Sequence, residues 1–213
     1  IAAAMGRSKR EIPHYYLAEP IPMQRAQAWL AELNATRPIT GRILMAAVQL
    51  RAVALALRGF PELNGTWQDG AWRPSADVNT GVAISLRQGG LVAPGIRGVQ
   101  GLAIDELMAR LADLVKRARA GTLRSSEFSD PTITVTNLGD TGVESTYPVI
   151  YPPQGAIVGF GRVAPRPWVE GGAVVALPVV VATLAADHRV SDGHRGAAFL
   201  AELSRRLQHP EEP

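Results

Sequence analysis

"VVVATLAADHRVSDGHRGAAFLAELSRRLQ", residues 179–208, is the stretch on which the reading of this chain turns. A run of Val, Ala, Thr and Leu stops at Asp187, and "DHRVSDGHRG" then packs two acids, two histidines and two arginines into residues 187–196. Phe199, Leu200, Leu203 and Leu207 follow at helical spacing. The pattern predicts a buried strand, a charged turn and a helix over about 193–207, with Asp192 at the N-cap, where a carboxylate accepts backbone N–H groups and faces the positive end of the helix dipole. Taken singly, Asp192 reads as a cap and His188 as an ordinary strand-end histidine. Taken together, the cluster carries more titratable chemistry than a structural turn requires.

Upstream, "MQRAQAWLAEL" sets Ala26, Trp29, Leu30 and Leu33 on one face and predicts a short helix over about 23–35. "TGRILMAAVQLRAVALALRGFPELN" is apolar around nearly its whole circumference, which predicts a helix over about 41–58, central to the core and ended by Gly59 and Pro61. Asp69-Gly70 between aromatic flanks and Gly89-Gly90 between apolar runs predict two hairpins. Residues 104–120 carry a single apolar stripe with acids at the start, Lys116, Arg117 and Arg119 at the end and Gly121 beyond, which predicts a helix. "TITVTNLG", "GAIVGFGRV" and "AVVALPVVVATLAA" read as strands. Helices and hairpins in blocks predict an α+β sandwich over a doubly wound fold.

With 213 residues and 46% hydrophobic content, the chain is long enough to bury a large core, read here as one domain, 1–213. The net charge of +3 comes from scattered Arg, with no block of the kind that marks a nucleic-acid arm. No cysteine is present, which excludes disulfides, zinc-thiolate sites and a cysteine nucleophile. Pro178 and Asp187 interrupt the longest apolar run before it reaches the ~18 residues of a membrane span. No signal-peptide pattern opens the chain, and its start on Ile1 suggests a natural amino terminus further upstream. His188, Asp192 and His194 straddle the turn while His14 and His209 lie near the two ends, so no metal site is expected. Neither a Gly-x-Ser-x-Gly elbow nor a Walker loop nor a Gly-x-Gly-x-x-Gly fingerprint occurs.

The segment "DHRVSDG" resembles the histidine signature of the catalytic domain of the dihydrolipoamide acyltransferases, the core components of 2-oxo acid dehydrogenase complexes. "SKREIPHYYL", "AVALALRGFPELNGTW", "GVAISLRQGGLVAPGIRG", "TITVTNLG" and "YPVIYPPQGAIVGFGRV" follow the family's order, so the resemblance covers nearly the whole chain. It implies a chloramphenicol acetyltransferase-like sandwich of mixed β-sheet and helices. It also implies a reaction that moves an acyl group between a protein-bound dihydrolipoyl thiol and coenzyme A. A thiol of pKa ~8.5 is mostly neutral at pH 7, and an imidazole is the natural base for it. The resemblance assigns that role to His188, the oxyanion donor to Thr136, and the support of the turn to Asp192, through an ion pair with Arg189 or Arg10. Asn137 is an ordinary turn residue in this reading and stays outside the catalytic set.

The family's partners would be a homotrimer, possible assembly into a larger shell, a lipoyl domain upstream, and the 2-oxo acid decarboxylase and dihydrolipoamide dehydrogenase components. Neither nucleic acid nor membrane is expected as a partner, and the compartment would be the cytoplasm, or the mitochondrial matrix in a eukaryote. Two departures concern the acyl-group preference: Tyr151 stands where the family usually has Asn before two prolines, and "GDTGVESTY" is an uncommon form of its loop. The rival readings are a non-catalytic core scaffold of the same fold and a free-standing small-molecule acetyltransferase.

Overall fold

A 15-residue strand, Ala173–Asp187, organises the fold, because different partners line its two halves. The computed structural model describes residues 2–86 and 89–213. In chain order the elements are α1 (Ala2–Glu11), β1 (His14–Pro22), α2 (Gln24–Asn34), α3 (Met45–Ala56), β2 (Gly65–Gln68), β3 (Ala71–Pro74), β4 (Thr80–Val82), β5 (Ile84–Ser85), β6 (Leu91–Val92), β7 (Gly95–Ile96), α4 (Ile104–Ala120), α5 (Ser125–Ser129), β8 (Ile133–Asn137), β9 (Ala156–Phe160), β10 (Ala164–Glu170), β11 (Ala173–Asp187) and α6 (Gly193–Gln208). The main sheet runs β1-β11-β9-β8-β4-β7, with β10 paired to the first half of β11. Strands β4, β8 and β9 are mutually parallel, and the other pairings of this sheet are antiparallel.

Pro178 sits inside β11 without breaking it. Its register partner on β10 is Pro165, so two residues without an N–H face each other, and its carbonyl accepts the Met23 N–H at 2.7 Å. Past this point β11 runs between β1 and β9 and is buried almost continuously. That burial explains the uninterrupted apolar run in the sequence.

The expected helix over 41–58 is shorter at its start. Asn34 clamps Ile43 from both sides, its Oδ1 accepting the Ile43 N–H and its Nδ2 donating to the Ile43 carbonyl, both at 2.9 Å. Leu44 is extended (φ −96°, ψ 152°), and α3 begins only at Met45. Nine residues of α3 are buried, as its all-round apolar surface predicts. The stretch Ile39–Gly59 is apolar enough by composition to cross a bilayer, with a mean hydropathy of 1.5. Its α-helical part has only 12 residues, about 18 Å, against a hydrocarbon core of ~30 Å, and lies in the protein core.

Helix α4 spans the predicted 104–120, with Leu107, Leu111, Leu114 and Ala118 buried, and closes on Gly121 at φ 71°, a left-handed C-cap suited to glycine. Both expected hairpins are present as β2–β3 and β5–β6. The first turns through Asp69 and Gly70 at positive φ, while Arg87 and Gln88 of the second lie outside the described residues. A smaller apolar cluster of Ile12, Ile150, Ile157 and Ala185 stands apart from the main core, and nearby the Ser8 hydroxyl donates to the Ile150 carbonyl at 2.6 Å.

Candidate active site

His188 is the first residue past β11, and its backbone has little freedom. Its N–H donates to the Pro13 carbonyl at 2.9 Å, while the Asp187 N–H donates to Gly155 O at 2.9 Å. The N–H groups of Val190 and Ser191 both return to the Asp187 carbonyl at 3.2 Å. The imidazole is exposed and, among the described residues, takes part in no hydrogen bond. Its neighbour is the edge-on ring of Tyr15, with centroids 5.2 Å apart.

Tyr15 is fixed in turn. Its hydroxyl bonds Ser191 Oγ at 2.9 Å, and burial pushes the phenol above its ordinary value despite that bond. Helix α6 packs against the ring through Gly196, where a Cβ would lie 2.8 Å from Leu17 and 2.9 Å from Tyr15. A side chain at that crossing would push the ends of Leu17 and Tyr15 aside.

Asp192 caps α6. In extended conformation (φ −135°, ψ 177°), it accepts the Arg195 N–H on Oδ1 at 2.9 Å. The backbone N–H groups of Arg195 and His194 hold its carboxyl below the ordinary carboxylate range, with His194 and His188 contributing through charge. The expected ion pair of Asp192 with Arg189 or Arg10 does not form. Arg189 turns back two residues to Asp187, whose carboxylate is fully buried and accepts the Arg189 backbone N–H at 2.9 Å and Nη2 at 2.6 Å. The closer, buried carboxylate takes the guanidinium, and exposed Asp192 is left to cap. Asp187 also accepts Trp67 Nε1 at 2.9 Å, a contact brought by the β2–β3 hairpin.

Thr136 lies near the end of β8, partly exposed, and among the described residues its hydroxyl has no hydrogen-bond partner. The register sets Thr136 opposite Gly159 and Gly159 opposite Thr183, five residues before His188. At ~4.8 Å per strand and ~3.3 Å per residue, the two lie about 19 Å apart within one chain. Asn137, set aside in the sequence, closes the turn after β8. Its Oδ1 accepts the Gly139 N–H at 2.8 Å, and its Nδ2 donates to the buried Gln49 at 2.7 Å. No signal in the sequence joins Asn137 to Gln49, 88 residues away.

Three cavities, around Arg51, Arg117 and Met45, are lined by none of His188, Asp192 and Thr136. Among the described residues, no three His, Asp or Glu side chains are grouped to hold a metal.

This geometry, an α+β sandwich with a free histidine at the end of its long central strand, defines a class of fold shared with chloramphenicol acetyltransferase, which superposes with a TM-score of 0.57 over 99% of this chain and 94% of that one, at 12% identity. The family model described as "2-oxoacid dehydrogenases acyltransferase (catalytic domain)" matches residues 1–213, and the chain belongs to that family. It is 32% identical over 99% of its length to the dihydrolipoyllysine-residue acetyltransferase component of pyruvate dehydrogenase complex from Rhizobium meliloti, covering 48% of that protein. It is 35% identical to the lipoamide acyltransferase component of branched-chain alpha-keto acid dehydrogenase complex from Pseudomonas aeruginosa, covering 99% of this chain and 50% of that one. The chain thus spans about half the length of these curated relatives.

Among solved structures, the dihydrolipoamide acetyltransferase of Azotobacter vinelandii, studied for the role of a serine, a histidine and an asparagine in its catalytic mechanism, superposes with a TM-score of 0.91 at 26% identity, covering 97% of this chain and 86% of that one. The cubic core of the pyruvate dehydrogenase multienzyme complex superposes equally well, at the same identity and coverage.

Proposed function

We propose that the chain is the catalytic domain of a dihydrolipoamide acyltransferase, with His188 as general base and Thr136 as oxyanion donor. One observation carries the assignment of the residues. In the Azotobacter vinelandii enzyme the histidine follows the serine by 52 residues and precedes the asparagine by four, and these intervals also separate Thr136 from His188 and His188 from Asp192. Threonine for serine keeps the hydroxyl donor. Aspartate for asparagine keeps a side-chain acceptor for the cap, the job Asp192 performs on Arg195.

In this mechanism the neutral His188 imidazole takes the proton of one thiol as its sulfur attacks the thioester carbonyl of the other substrate. The C–S bond that forms creates a tetrahedral oxyanion, and the Thr136 hydroxyl donates to it. Collapse of the intermediate breaks the second C–S bond, and the departing thiolate recovers the proton from the imidazolium. Coenzyme A supplies one thiol and a dihydrolipoyl arm, carried on a separate domain, the other. Asp192 moves no proton in this scheme; it holds the end of α6 against the turn.

Two residues about 19 Å apart in one chain cannot serve one carbonyl, so the site is completed by a second copy. The family resemblance implies that these copies form a homotrimer with active centres between subunits, each subunit supplying His188 to one neighbour and Thr136 to the other. The cubic core of the structural relative supports a shell of trimers, which would serve decarboxylase and dihydrolipoamide dehydrogenase partners. Such a complex would work in the cytoplasm, or in the mitochondrial matrix of a eukaryote; one relative, from Schizosaccharomyces pombe, is named as mitochondrial.

The direct test is acyl transfer from acyl-coenzyme A to dihydrolipoamide by the His188→Ala variant. Turnover is expected to vanish while fold and assembly persist, since the imidazole supports no hydrogen bond; near wild-type turnover in the purified variant ends the assignment.

A further inference from the structure

We propose that Trp67 and Arg189 are positioning residues for His188, acting through the buried carboxylate of Asp187. The proposal rests on the reading of His188 as the base. Asp187 and Arg189 are the two chain neighbours of His188, and their side chains close on each other. The Asp187 carboxylate accepts the Arg189 backbone N–H at 2.9 Å, Nε at 2.9 and 3.1 Å, and Nη2 at 2.6 Å. A ring of side-chain and main-chain bonds therefore spans His188 and restricts the dihedrals that aim its imidazole.

The ring is itself anchored to a distant part of the chain. Trp67 Nε1 donates to Asp187 Oδ2 at 2.9 Å, and the Arg189 guanidinium lies over the same indole, 4.3 Å from its centroid. One tryptophan thus supports both members of the pair, the acid by a hydrogen bond and the base by its face. The hairpin that carries Trp67 is fixed at the foot of the sheet: Trp67 N–H donates to Pro153 O at 2.8 Å, and Trp72, its register partner, covers Gly155 so closely that a Cβ there would sit 2.5 Å from the ring. Gly155 in turn accepts the Asp187 N–H.

Only the acid of this pair is buried, since Asp187 is fully enclosed while the Arg189 side chain reaches solvent, and a buried carboxylate needs its partners in place. This pair supplies direction. The His188 ring has no hydrogen bond of its own among the described residues, so its aim rests on the backbone that carries it and on the edge-on ring of Tyr15, and a misplacement of ~1 Å at a reacting group costs on the order of 10²-fold in rate.

The test uses the intact protein and three variants, Arg189→Lys, Trp67→Phe and His188→Ala, in acyl transfer from acyl-coenzyme A to dihydrolipoamide over a range of pH. Lysine keeps the charge of Arg189 but cannot fork around a carboxylate. Phenylalanine keeps the aromatic plate but loses the N–H. The expected result is a kcat lower by about 10²-fold in Arg189→Lys and about 10-fold in Trp67→Phe, with the KM of both substrates within about two-fold of wild type. The pH profile of Trp67→Phe, which changes no charge, should keep its midpoint. Should Arg189→Lys fail to fold, Trp67→Phe decides alone. Wild-type kcat in the folded variants, a change confined to KM, or a displaced pH profile with kcat regained at its new optimum overturns the proposal. An inactive His188→Ala beside a fully active Trp67→Phe sinks the positioning role alone, whereas an active His188→Ala sinks the general-base reading beneath it.

Discussion

Thr136 on β8 and His188, just past the end of β11, lie about 19 Å apart, separated by two strand spacings and five residues of chain beyond Thr183. Each side chain lacks a hydrogen-bond partner within its own chain among the described residues. Two polar groups left free at separate places on a rigid sheet are what a site assembled from two copies requires.

In the proposed mechanism, replacing Thr136 by alanine removes one oxyanion donor. Turnover should fall roughly 10²-fold or more with little change in substrate affinity, measured as kcat and KM for both thiols. A change confined to KM would assign Thr136 to binding instead.

Asp192→Ala removes the acceptor for the Arg195 N–H and leaves the first turn of α6 uncapped. The melting temperature should fall by about 2–4 °C, while Asp192→Asn, which also caps, stays near wild type. The pH dependence follows from the lowered pKa of Asp192. The stabilisation is fully present above the unfolded value of ~3.9 and is lost as pH falls through the lower folded value. Wild type should therefore lose stability relative to Asp192→Asn only below about pH 4; equal pH curves for the two proteins would contradict this.

His14 gives a second pH dependence. Its Nδ1 donates to the Ile12 carbonyl at 2.8 Å, and its Nε2 accepts the Ile150 N–H at 3.1 Å, which only a neutral ring can do. Burial, the leading cause, lowers its pKa. As pH falls below the unfolded value of ~6.5, the unfolded chain gains a proton that the folded chain refuses, so stability declines down to the lowered folded value. His14→Gln should flatten this part of the stability curve, measured by denaturant unfolding at several pH values. An unchanged slope would remove His14 from the account.

Much of this was readable in advance. Helix α4, helix α6 with its cap, both hairpins and the strands β8, β9 and β11 follow from periodicity and turn chemistry, because each buries one face or runs through the interior. Strand β1 was not legible. Pro20 and Pro22 argue against a strand, and they are tolerated because β1 is the edge of the sheet. Helix α1 lacks an apolar stripe, and the late start of α3 depends on Asn34 gripping Ile43, a contact no local pattern reveals. His188 and the Asp192 cap could be found because they sit within one short segment. The Trp67 bond to Asp187 could not, since it comes from a hairpin 120 residues away.

The central claim is that His188 and Thr136 meet across an interface, and subunit mixing tests it most directly. His188→Ala chains, expected to be inactive, and Thr136→Ala chains, expected to keep on the order of a hundredth of wild-type turnover, are unfolded together in equal amounts and refolded as mixed trimers. A site is whole when its histidine comes from a Thr136→Ala chain and its threonine from a His188→Ala chain, which random mixing gives in roughly a quarter of sites. The account predicts activity approaching a quarter of wild type, well above the sum of the two variants refolded separately. Verified mixed trimers with no gain over that sum would contradict it.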